Sequence, residues 1–139
     1  GLGVASDDLA IEADQRGANT TALLAERLAR PGDGPPVSEY AVELVEGVVS
    51  HWGEIQDLLS TYSHGWTVER MPGVDRAILR LGVWEIVWND AVPDNVAIPE
   101  AVELAKSFGG IDGHKYVNGV LDKLAFKVRA PEMQAEQRS

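Results

Sequence analysis

The stretch Val74–Trp88 constrains this chain more than any other part of it. On a helix, Val74, Ala77, Ile78, Leu81, Trp84 and Trp88 share one face, and Leu79, Val83, Ile86 and Val87 fill much of the remaining circumference. A helix that is apolar nearly all round must be covered on several sides, so this one is central and the others pack around it. Its polar residues Asp75, Arg76, Arg80 and Glu85 then have little room to face solvent.

The flanking segments supply the cover. Pro31-Gly32-Asp33-Gly34-Pro35-Pro36 cannot continue a helix and is a loop. From Val37 to Tyr62 the apolar residues recur at offsets of three and four, which predicts one stripe on a long helix. Ser38 stands where an N-cap oxygen is needed, and Gly53 interrupts the stripe at a kink or a close contact. Trp66–Met71 predicts a short helix capped by Thr67. After a connector over Asn89–Asn95, Pro99 suits the first position of a helix, with Glu100 and Glu103 near the positive end of its dipole. Gly109-Gly110 stops that helix, and the last one is predicted from His114 to Val128. No run alternates with period two and no repeat is evident. The chain therefore reads as all-α, with five to seven helices in an antiparallel bundle. Its 139 residues suit one domain, with a core over about 9–129 and fraying expected at 1–8 and 131–139.

Composition removes several classes of function. Without cysteine there is no disulfide framework, no thiolate zinc site and no thiol nucleophile. His51, His64 and His114 form no pair at metal-ligand spacing. Gly109-Gly110-Ile111-Asp112-Gly113 follows a helix rather than a strand and reads as a helix–helix turn, not a phosphate loop. No catalytic residue, metal or cofactor is expected, and the short apolar runs and absent signal peptide point to the cytoplasm. A net charge of −10 repels phosphate backbones, so any nucleic-acid role needs a local basic patch or a helper protein. Lys106, Lys115, Lys123, Lys127 and Arg129 cluster near the C-terminus, whereas Asp7, Asp8, Glu12 and Asp14 crowd the start.

Two stretches are more specific than composition. The first is Val74-Asp75-Arg76-Ala77-Ile78-Leu79-Arg80-Leu81-Gly82-Val83-Trp84-Glu85-Ile86. The second runs from Val96-Ala97-Ile98 through Glu100-Ala101-Val102-Glu103-Leu104-Ala105-Lys106-Ser107-Phe108-Gly109 to Lys115-Tyr116-Val117-Asn118-Gly119-Val120-Leu121-Asp122-Lys123. Together they closely resemble the NusB family of bacterial transcription antitermination factors, over roughly residues 9–129. The resemblance implies a fold of two small three-helix bundles. It also implies pairing with the ribosomal protein NusE and binding of boxA RNA on nascent ribosomal transcripts, within the antitermination complex of RNA polymerase.

The residues offer chemistry for that role. Phosphates need cations, and single-stranded bases need π-faces and amide hydrogen bonds. Lys115, Tyr116 and Asn118 supply all three, and Arg76 and Arg80 add two guanidinium groups on one helix face. Blander readings exist: Tyr116 as a core aromatic, Asn118 at a packing notch, Lys115 as a surface lysine. By resemblance, the NusE contacts fall on Ile11, Glu69, Asp75 and Asp112, and acidic residues suit a basic ribosomal partner. The family's arginine-rich first helix has no counterpart here before Arg16, so weak RNA binding is expected of the chain alone. Two alternatives are an accessory domain of an rRNA cytosine methyltransferase and a purely structural dimer module.

Overall fold

In the computed structural model the described residues are 20–29, 39–63 and 71–138, with side chains described as far as Ala130. Six helices are present among them: α1 over 20–29, α2 Glu39–Ser50, α3 Trp52–Tyr62, α4 Gly73–Trp88, α5 Asp94–Phe108 and α6 Gly113–Arg138. No strand occurs among the described residues. The all-α expectation holds.

Helix α4 is the hub. Residues Ala77 to Ile86 are buried without a break, and Leu79, Leu81 and Ile86 are wholly enclosed. Helices α4, α5 and α6 pack mutually as one three-helix bundle, and α2 and α3 cover another side of α4. One hydrophobic cluster runs through all of them, from Leu24 on α1 through Leu44, Ile55 and Ile78 to Leu121 and Leu124.

The predicted long helix over Val37–Tyr62 is two helices. The break falls at His51, where φ is −116° and ψ is 25°, and not at Gly53. The close contact is also elsewhere: a Cβ on Gly53 meets nothing, whereas one on Gly47 collides with the indole of Trp84. Trp84 is 7% exposed, as its central position requires, and its indole occupies the space a side chain at Gly47 would need.

Helix α5 starts at Asp94, so Pro99 lies inside it rather than at its first position. The Ala97 amide already bonds the Pro93 carbonyl at 2.9 Å, which fixes the first turn ahead of the proline. Pro99 lacks the amide that would bond the carbonyl of Asn95, and solvent is available to that exposed residue. The acid at the positive helix end is accordingly Asp94, not Glu100 or Glu103. Helix α6 begins at Gly113 and continues to Arg138, past the predicted end at Val128. Ser38 and the segment 64–70, including Trp66 and Thr67, lie outside the described residues.

Candidate nucleic-acid and partner interface

Asp75 sits in the first turn of α4 and is 0% exposed. Its Oδ2 accepts the Gly110 amide at 3.1 Å, and its Oδ1 is buried without a hydrogen-bond partner. The α5–α6 turn closes over the carboxylate because it is made of glycines. A Cβ on Gly109 collides with Oδ1 and comes within 2.7 Å of the Ala105 carbonyl oxygen; one on Gly113 lies 2.5 Å from Oδ1. Here the glycine-rich segment permits close approach of backbone to carboxylate. It is a helix–helix turn, as its sequence context predicts.

That clasp presents the turn's outer side. Ile111 is 97% exposed, and Asp112 adopts φ 65°, the left-handed region where aspartate is among the better-tolerated residues. Asp112 pairs with Lys115 at 3.6 Å, both largely solvated. Such a pair contributes little to stability and leaves either charge available to a partner. Asn118 is exposed on the next turn of α6, and Tyr116 between them is half-buried against the core. Tyr116 thus has one part against the core and another at the surface.

The two arginines are placed differently. Arg80 is only 9% exposed; its guanidinium lies 4.2 Å over the Trp52 ring, and its Nε donates to Gln56 Oε1 at 3.4 Å. Burial, and then the neighbouring Arg76, push its pKa down to about 10, so it remains charged at neutral pH. Arg76 is half-buried, with an Nε that has no hydrogen-bond partner. Among the described residues no carboxylate forms an ion pair with either.

Of the expected partner residues, Asp112 is at the surface, whereas Asp75 is buried beneath the turn it holds. Ile11 and Glu69 lie outside the described residues. The basic C-terminal cluster is partly committed. Arg129 is bidentate to Asp94, with both bonds at 3.1 Å, and also donates to the Ile86 carbonyl at 2.8 Å. Lys106 pairs with Glu103 at 3.4 Å. Lys123 and Lys127 instead flank a shallow groove of about 640 Å³ with Tyr62 and Phe126.

Sequence reasoning missed two features. One is Trp52, placed on the core stripe but 45% exposed beneath Arg80. The other is what Glu85 meets: it is 3% exposed, as its place on the apolar helix predicts, but its partners come from other segments. The Tyr40 hydroxyl donates to Glu85 Oε2 at 2.6 Å and accepts from Asn89 Nδ2 at 2.9 Å. Burial raises the Glu85 pKa, opposed by the Tyr40 bond and assisted by Glu100; burial and Glu85 in turn raise that of Tyr40.

Comparison with known proteins bears on what this surface does. The NusB family model matches residues 7–126. The Transcription antitermination protein NusB of Beutenbergia cavernae is 51% identical over 125 residues, covering 84% of this chain and 82% of that protein. The protein of the same name from Frankia casuarinae is 57% identical over 102 residues, covering 73% of this chain and 74% of its own. Among solved structures, NusB of T. maritima superposes with a TM-score of 0.64 at 31% identity, covering 87% of this chain and 95% of that one. A chain from a structure titled as a plectonemic RNA supercoil gives 0.65 at 27% identity, covering 84% and 96%.

Proposed function

This chain belongs to the NusB family of transcription antitermination proteins, a family without enzymatic activity, and from that premise we propose that it pairs with NusE and binds boxA RNA on nascent ribosomal transcripts in the cytoplasm. The carrying observation is the start of α6, where exposed Lys115 and Asn118 flank Tyr116 beside a turn whose geometry a buried carboxylate fixes. A cation, an amide and an aromatic ring within one helical turn match the phosphates and unstacked bases of single-stranded RNA. Asp112 and the turn held by Asp75 offer acidic contact to NusE, and NusE supplies positive charge that a chain of net charge −10 lacks.

The test is RNA binding by fluorescence anisotropy, with and without NusE. The chain alone binds boxA RNA weakly, and NusE strengthens binding clearly. Lys115→Ala lowers the NusE-assisted affinity and flattens its salt dependence by roughly 0.7 in log–log slope, the loss of one phosphate contact. Tyr116→Ala lowers affinity with little change in slope. The reading fails if both variants leave assisted affinity untouched, or if the chain alone binds tightly at physiological salt.

A further inference from the structure

We propose that Trp52, with Arg80 behind its ring, is a stacking site for one base of single-stranded RNA, with Arg76, one helical turn from Arg80 on α4, taking the adjoining phosphate. This inference rests on the RNA-binding reading above and extends the interface from α6 to the α3–α4 edge.

Three observations carry it. First, Trp52 is the first residue of α3 and stays 45% exposed although the core stripe passes through it. One ring face is taken by the Arg80 guanidinium at 4.2 Å, and the side chain still keeps nearly half its surface in solvent. Gln56 fixes that guanidinium, so the ring is ordered before any ligand arrives and loses little entropy on stacking.

Second, Gly53, the next residue on α3, is exposed and a Cβ built there meets no other part of the fold within 4 Å, so the surface beside Trp52 carries no side chain at that position.

Third, the charge is anomalous. Arg76 and Arg80 are close enough for Arg76 to disfavour the charged form of Arg80, yet no described carboxylate pairs with either, in a chain of net charge −10. Two adjacent guanidinium groups with no carboxylate between them make a local positive charge that an anion neutralises. Exposed Glu54 and Asp57 on α3 oppose a polyanion, so the attraction comes from the α4 arginines. An indole backed by a cation, with a second cation one turn away on α4, answers to a base with its phosphate: stacking is tolerant of base identity, and guanidinium groups bind phosphate oxygens well.

The experiment measures a boxA oligoribonucleotide with the chain and NusE together, using Trp52→Ala, Trp52→Phe, Arg76→Gln and, as reference, Lys115→Ala. Trp52→Ala is expected to weaken RNA binding roughly five- to a hundred-fold with the salt slope unchanged, as for loss of one stacked base. Trp52→Phe recovers most of the affinity but loses the RNA-induced quenching of indole fluorescence. Arg76→Gln weakens binding and lowers the slope by roughly 0.7. Should Trp52→Ala melt early, Trp52→Phe decides through its quenching. If Trp52→Ala stays folded and binds RNA like wild type while Lys115→Ala weakens it, this inference fails and the RNA reading stands. If Trp52→Ala weakens only the association with NusE, the site is for protein and the inference fails. Absence of RNA binding by the wild-type pair overturns both.

Discussion

Helix α4 buries a carboxylate at each end, and the two are held in opposite ways. Asp75 meets backbone: its partner is the Gly110 amide, and glycines let the chain close over it. Glu85 meets side chains: its partner is the Tyr40 hydroxyl, which Asn89 supports in turn. Each keeps one oxygen buried and unpartnered, a costly condition. The Asp75 end shapes an exposed turn with Ile111 at its tip, whereas the Glu85 end is backed by Trp84 on Gly47 and joins α2 to the start of the α4–α5 connector. A backbone clasp fixes the path of a loop; a side-chain network fixes the spacing of helices.

The comparison can be broken from the packed end first. Trp84→Ala is expected to destabilise by about 3–5 kcal/mol, the range for deleting a core aromatic. A denaturation curve matching wild type would show that packing does not hold the Glu85 end.

Gly109→Ala attacks the other end and is expected to cost about 1–3 kcal/mol, because the new methyl meets both a carboxylate and a backbone carbonyl. Hydrogen exchange should quicken first at the Gly110 amide. Adding Asp75→Ala should recover part of the loss, a coupling that independent sites do not show. Strict additivity would mean the clasp has no energetic content.

Glu85→Gln is the mildest change. It keeps an acceptor for Tyr40 and removes a charge whose folded-state pKa is raised mainly by burial. A raised carboxyl pKa favours folding below the unfolded value of about 4.3, and that advantage is lost as pH rises through the folded pKa. The variant should therefore melt higher than wild type at pH 7, with the gain shrinking towards pH 4. A gain that is constant with pH would assign the effect to packing instead.

The sequence by itself determined that α4 is central, since no other segment is apolar all round, and that the regular elements among the described residues are helices. It also exposed Lys115, Tyr116 and Asn118 as a set, because neighbours on one helical turn are neighbours in space. Helix ends followed local rules only in part: Pro99 looked like a start, but the Pro93–Ala97 bond nucleates α5 earlier. What only the tertiary structure decided is which polar residues face inward and what they meet. Asp75 and Asp112 are alike as letters, yet one is enclosed by glycines far along the chain and the other is solvated. Arg76 and Arg80 share a helix face with Trp52 above it only because α3 folds back across α4. Gly47 and Gly53 are equally small, and only the position of Trp84 makes one indispensable. Period and propensity are local quantities, whereas desolvation and close approach depend on distant segments meeting, and no window of sequence contains both partners.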